Sequence, residues 1–255
     1  LTIQGWKALV IDFDPNQRDL TELVGISAVA DEVYKVLRDR NRSLTEIIQP
    51  FFYPPETKRQ RFDVIPADPA MRVEDEVKLR QSIRFDDLRN KLLAVKPSYD
   101  YILIDTPPNW RFFNKASLYA ADVVLIPAQH NNIRSLQNAA TVITDFIPEI
   151  QKDRKDGGPI ALPIFLNRGK FTEAQRRDTE NAVREIIAEF QEKRQIDLSP
   201  YFLRKQASGN SSFHPLEIPE YAGIFKASFL QAPAVYKDKK AQDYFENLVK
   251  EYFVP

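Results

Sequence analysis

The sequence predicts an α/β fold, a doubly wound and mostly parallel sheet with helices on both faces. Short apolar runs without polar alternation are the first observation, because a strand buried on both faces reads as a continuous hydrophobic stretch. Segments with helical spacing lie between those runs and are the second. The third is a series of acidic and amide residues directly after the runs, where open parallel sheets bind their ligands.

In chain order, strands are expected at residues 8–11, 62–65, 101–104, 122–126 and 160–166. Val183, Ile186, Ile187 and Phe190 fall at i, i+3, i+4 and i+7 inside a charged segment and predict a helix over 172–194. The stretch 241–253 has the spacing of a closing amphipathic helix. Pro50, Pro54 and Pro55 among aromatic and basic residues make 49–61 a surface excursion, and 207–212 reads as a polar loop. No internal repeat or boundary divides the chain, so one domain over residues 1–255 is expected.

Composition removes several classes of chemistry. Basic and acidic side chains number 36 each, which argues against a constitutively basic nucleic-acid binder but leaves room for a local basic face. Without cysteine there is no disulfide, thiolate nucleophile or iron–sulfur cluster. His130 and His214 are too few and too far apart in sequence for a histidine-rich metal site. No apolar segment approaches a membrane span and the first residues lack a signal-peptide pattern, so a soluble cytoplasmic protein is expected.

The residues after the strands read Asp12-Phe13-Asp14-Pro15, Pro66-Ala67-Asp68, Asp105-Thr106-Pro107-Pro108, Pro127-Ala128-Gln129 and Asn167-Arg168. A carboxylate at Asp105, followed by residues that continue neither helix nor ladder, can hold Mg²⁺ or its water shell. Asp14 can orient or deprotonate a water for attack on a phosphoryl group. For either residue alone, capping of a turn or a helix start is the competing reading.

"ALVIDFDPNQ" followed much later by "YDYILIDTPPNW" resembles the ParA/MinD family of partitioning ATPases, a P-loop class. "FDVIPADPAM", "DVVLIPAQ" and the terminal "IPEYAGIFKASFLQAPAVYKDKKAQDYFENLVKEY" extend the resemblance over nearly the whole chain. It implies a Mg²⁺- and ATP-dependent ATPase that dimerises on ATP and positions DNA or another cargo. Asp14 then matches the hydrolytic aspartate, Asp105 the Mg²⁺ carboxylate, and Asp12 borders the nucleotide. Asn167 and Arg168 follow the late strand that meets adenine, and Pro219 lies in the second adenine-lining segment. The implied partners are a second copy of the chain, non-specific DNA and a cargo-linked adaptor or stimulating protein, with nucleoid association. The ending "FENLVKEYFVP" is short and acidic for a membrane anchor, which favours DNA. Its phosphate-contacting candidates are Lys170, Arg176, Arg177, Arg204, Lys205 and Lys226.

Two features depart from the family. None of the seven glycines opens a G-x-x-x-x-G-K-S/T phosphate loop. The simpler expectation is that residues 1–7 end the first helix and its turn, so the chain starts about one strand and one helix late. The other is a member whose phosphate contacts come from elsewhere, with Lys152 or Lys155 reaching a nucleotide across a dimer. The second departure is Pro15-Asn16-Gln17-Arg18, where the family favours Pro-Gln and small residues. Two further readings stand beside the ATPase. A phosphoacceptor receiver shares the acid pair, but the gap from Asp14 to Asp105 is too long for that module. A non-hydrolysing interaction protein would keep the fold without the phosphate loop.

Overall fold

The structure, a computed structural model, describes residues 1–27, 32–57, 59–71, 76–108, 110–129, 132–169, 172–205 and 211–253. Packing divides the chain into two compact units, Leu1–Ala121 with Phe225–Lys237 and Asp122–Ile224 with Asp238–Pro255.

The first unit opens with a single 3-10 turn, Thr2–Gln4, closed by Gly5 in the left-handed region (φ 97°), where a side chain would be strained. Its strands are β1 (Ala8–Asp12), β2 (Gln49–Phe52), β3 (Gln60–Ile65) and β4 (Tyr101–Asp105), and its helices α1 (Asp19–Leu23), α2 (Glu32–Arg38), α3 (Glu76–Ser82), α4 (Asp87–Val95) and α5 (Phe112–Ala120). The spatial order is β2-β3-β1-β4. β1 pairs in parallel with both β3 and β4, so the expected strands at 8–11, 62–65 and 101–104 form the heart of one sheet.

Alternation along β3 shows why both faces must be covered. Ile65 points into a core with Leu9, Ile11, Leu79, Leu88 and Phe112, while Val64 turns to a second core with Val24 and Phe51. Each such side chain contributes about 1.5–3 kcal/mol relative to exposure. Helices α2, α3, α4 and α5 supply the first core, and α1 packs against the second through Leu20.

Residues 49–61, expected as a surface excursion, include a β-hairpin arm. β2 pairs antiparallel with β3, with a register shift between Phe51 and Phe52. An edge position tolerates Pro50, whose missing N–H costs no bond on the free side.

The second unit contains β5 (Val123–Val124), β6 (Pro127–Ala128), β7 (Ile160–Ala161), β8 (Phe165–Gly169), β9 (Arg204–Lys205), β10 (Ser211–Ser212) and β11 (Leu216–Pro219). Its helices are α6 (Ile133–Thr141), α7 (Ile147–Arg154), α8 (Glu173–Arg194), α9 (Ser199–Phe202), α10 (Ala222–Phe225) and α11 (Lys239–Tyr252). β11, β8 and β6 form a parallel three-stranded sheet, and β5 pairs in parallel with β7. The run expected at 122–126 therefore holds only the short β5, with β6 just beyond it, and the run at 160–166 is broken between β7 and β8. Pro163 lies inside one run and Pro127 at the end of the other; neither offers an N–H to a ladder.

Between α6 and α7 the helix widens into a π turn over Val142–Phe146. Pro148 follows directly, and its ring and missing N–H exclude a regular α-helical bond to Thr144. The long α8 runs as the spacing predicts. Thr172 and Gln175 form its capping box, and Val183 and Ile186 are its buried stripe. Asp238 caps α11 by accepting from Ala241 N at 2.9 Å.

Leu136, Leu166, Val183, Phe202 and Phe213 are among the buried residues of the second unit's core. Leu136→Ala is expected to cost about 2–5 kcal/mol of stability, seen as a lower denaturation midpoint in urea.

Candidate functional site

The carboxyl ends of β1 and β4 place Asp12 and Asp105 side by side in register. Phe13 N donates to Asp105 O at 2.9 Å, continuing the ladder one residue past β1. The Phe13 ring packs edge-on against Phe113 at 5.1 Å, anchoring the peptide that links the two aspartates of Asp12-Phe13-Asp14.

Asp12 and Asp14 are 2% and 6% exposed, yet their oxygens are used differently. Asp12 Oδ1 accepts from Asp14 N (3.2 Å), and Asp12 Oδ2 accepts from both Thr21 N (2.9 Å) and Thr21 Oγ1 (2.6 Å). Burial pushes its carboxyl up from the ordinary value, the Thr21 and Asp14 hydrogen bonds oppose this, and the Asp14 charge adds to it. Thr21 Oγ1 also accepts from Ala67 N at 2.9 Å, just beyond β3. One hydroxyl thus ties α1 to the ends of β1 and β3.

In Asp14 only one oxygen is engaged. Oδ1 accepts from Asn16 N (2.9 Å) and Gln17 N (3.2 Å), the pattern of an Asx turn. Oδ2 carries no hydrogen bond among the described residues. The turn runs on to Arg18, in the left-handed region at φ 56°, which starts α1.

Asp105 is open to solvent as a residue, while its carboxyl sits among protein atoms at the strand end. Its pKa is pushed up to about 6, first by partial withdrawal from water, then by the Asp12 carboxylate, with Asp14 and Asp19 adding and the Thr106 N–H opposing. Asp68, after β3, is spoken for: its oxygens accept from Tyr34 N and Ala70 N, both at 3.0 Å.

This arrangement suits a hard cation that keeps most of its water. Among the described residues no three acidic or histidine side chains gather into a metal cage. A single outward carboxylate such as Asp105, with Asp14 Oδ2 free for a bound water, matches Mg²⁺ better than Ca²⁺ or Zn²⁺. The nucleotide itself fits less completely. Glycine-lined backbone that would wrap phosphates is missing from the 255 residues, so no catalytic step is derived through the phosphate chain.

In the second unit, Asn167 lies exposed on β8, and its register partner Ile218 directly precedes the half-buried Pro219 of β11. The structure therefore brings Asn167 and Pro219 together on adjacent strands, with Arg168 following Asn167 in β8. Of the basic candidates, Arg176 makes a two-pronged ion pair with Glu217 (2.7 and 3.3 Å), and Arg204 is paired with Glu251. Arg177 and Lys226 are exposed. Lys170 and His130 lie outside the described residues, as do the side chains of Arg168 and Lys205. Lys152 is exposed in the last turn of α7, and Lys155 closes that helix at φ 59°. Thr21 is the site residue that reading the sequence missed; its only signal there is a lone hydroxyl between two leucines and two acids of a short helix.

With this geometry in hand, comparison with known proteins is decisive for the family. The model of AAA_31, an AAA domain, matches residues 1–157. The chain belongs to this family. The chromosome partitioning protein ParA of Myxococcus xanthus is 31% identical over 125 residues, 48% of this chain and 41% of that protein. The sporulation initiation inhibitor protein Soj of Bacillus subtilis is 36% identical over 128 residues, 49% of this chain and 47% of that protein. The chain spans about half the length of the curated relatives it matches. Among solved structures, an ATP complex of an aspartate-to-alanine variant of Cyanothece McdA superposes with a TM-score of 0.68 at 17% identity, covering 99% of this chain and 87% of that one. MinD of Pyrococcus horikoshii with Mg-ADP superposes with a TM-score of 0.61 at 16% identity, covering 99% and 86%. At such identities these two show the shared AAA-domain fold, a mostly parallel sheet with helices on both sides.

Thr21→Val removes a donor from Asp12 and an acceptor from Ala67. It is expected to cost about 1–3 kcal/mol in denaturant unfolding, with Thr21→Ser recovering most of the loss. Asp105 gives a pH signature. Folded, it takes up its proton near pH 6 rather than at the ordinary 3.8, so the folded state binds more protons in that window and stability falls as pH rises through it. In chelator-containing buffer Asp105→Asn should raise the melting temperature at about pH 7.5 and lose that advantage near pH 4.

Proposed function

We propose that this chain contributes the acidic half of the site of a ParA-type, Mg²⁺- and ATP-dependent ATPase that positions or segregates DNA or another intracellular cargo. The observation that carries the reading is the division of labour between Asp12 and Asp14. Asp12 has both oxygens saturated by the fold, whereas Asp14 is anchored through Oδ1 and keeps Oδ2 free beside Asp105. A carboxylate held by one oxygen with the other open is built to orient a water and draw off its proton.

In this reading Asp105 holds the hydrated Mg²⁺, which when bound neutralises charge on the phosphate oxygens. Asn167 and Arg168 on β8 and Pro219 on β11 meet the adenine, since an amide offers the purine edge both a donor and an acceptor. ATP joins two copies of the protein, and the dimer engages non-specific DNA and an adaptor that stimulates turnover. Arg177 and Lys226 are the DNA candidates whose side chains carry no ion pair among the described residues. The cell compartment proposed is the cytoplasm, at the nucleoid. Among the described residues no helix is long and apolar enough to cross a membrane.

A second reading rests on the glycine count. Without a phosphate loop in these 255 residues, the chain can serve as a non-hydrolysing interaction protein that keeps the ParA-type fold.

Asp14→Ala separates the two. It should leave Mg-ATP affinity, measured by calorimetry on the protein made from its natural gene, near the wild-type value while turnover drops by about 100-fold or more. Wild-type turnover in the variant rejects the role of Asp14, and absence of any Mg-ATP binding by the wild type favours the interaction protein.

A further inference from the structure

The hairpin arm of the first unit carries a cluster unrelated to the acidic rim. Tyr53 N donates to Arg59 O at 2.9 Å and closes the turn between β2 and β3. The Tyr53 ring stacks on Tyr236 at 5.3 Å and 22°. Arg61 lies 4.9 Å from the centre of the Tyr236 ring while its Nε donates to Tyr53 O at 2.6 Å. Lys237 lies 5.7 Å from the centre of the Tyr53 ring. Burial pushes the Tyr236 hydroxyl up; its hydrogen bond to Thr2 and the charges of Arg61 and then Arg59 oppose this, so both guanidinium groups reach the same spot.

Three cations thus surround a pair of stacked tyrosines, and none has an ion-pair partner among the described residues. The nearby acids form no ion pair with them among the described residues. Asp63 is occupied by the Tyr99 hydroxyl (2.8 Å) and Gln60 (2.7 Å), and Glu56 is an exposed residue of the turn. In a chain with equal numbers of basic and acidic side chains, such a local excess marks a surface for an anion.

We propose that this cationic and aromatic cluster docks a short acidic peptide segment of a partner protein. Arg61 has spent Nε on the hairpin, which fixes its plane and leaves its terminal nitrogens to meet a carboxylate two-pronged. Arg59 and Lys237 are exposed on either side, so three carboxylates of one extended segment satisfy the cluster. β2 is the edge strand of its sheet, and an extended peptide can run along it. A nucleic-acid duplex fits less well, because such binding draws on about 6–10 phosphate contacts. A lipid surface also fits less well, because Tyr53 and Tyr236 are half-buried in their own stack and offer no projecting apolar wedge.

Fluorescence anisotropy with labelled decaglutamate at low salt tests this, independently of any nucleotide binding. The wild type should bind, and Arg59→Glu with Lys237→Glu should weaken binding about tenfold or more at unchanged melting temperature. Lys250→Glu, on α11, should change nothing. Equal binding by the double variant, or no binding by the wild type, overturns the proposal. So does tighter binding of a DNA duplex or of anionic phosphatidylserine vesicles that is lost through the same two substitutions. Should the double variant melt early, Lys237→Gln alone is read instead: weaker binding supports the site and unchanged binding overturns it.

Discussion

A carboxylate driven to the end of a buried parallel strand must be given donors, and Asp12 receives three. Two come from Thr21 and one from Asp14 N, so satisfying one buried charge fixes both the entry of α1 and the turn that follows β1. The Thr21 hydroxyl extends the tie to Ala67 and the end of β3. Loss of any one member leaves a buried polar group without its partner, a cost far above that of a surface bond. The rest of the acidic rim inherits its geometry from this knot. Asp14 is held where its second oxygen stays open, and Asp105 comes alongside through the β1–β4 register.

Repulsion is the counterpart of this order. Partial withdrawal from water raises the Asp105 carboxyl first, and the charges of Asp12, Asp14 and Asp19 raise it further. A site that crowds negative charge into partly dry surroundings sacrifices stability until a cation arrives, the usual state of a metal-dependent centre without its metal. In the function proposed above, a hydrated Mg²⁺ is the ion that such a rim accommodates.

Much of this was legible in the residues. Apolar runs ending in aspartate marked β1 and β4, and the run before Pro66 marked β3, because two-sided burial leaves little room for alternation. The helix α8 was legible from its apolar stripe. The fragmentation of the later strands was not, since a proline inside an apolar run removes ladder donors without altering hydrophobicity. β2 was hidden for the converse reason: Pro50, with Pro54 and Pro55 just beyond, reads as loop, and only pairing with β3 makes Gln49–Phe52 an edge strand. At the site, the strand-end acids could be named from position alone. Thr21 could not, because its partners lie 9 and 46 residues away and meet only in the folded chain.

The π turn at Val142–Phe146 bears on how this chain changes length over time. A π turn holds one residue more than the α-helical turn it replaces, and the helix regains its phase on either side. The buried faces of α6 and α7, with Leu136 and Ala140 before the turn and Ile147 and Ile150 after it, therefore both remain core-facing. Relatives that differ by a single insertion or deletion inside this long helix are expected to carry it at this turn, where the chain can absorb a residue without rotating either buried stripe out of the core.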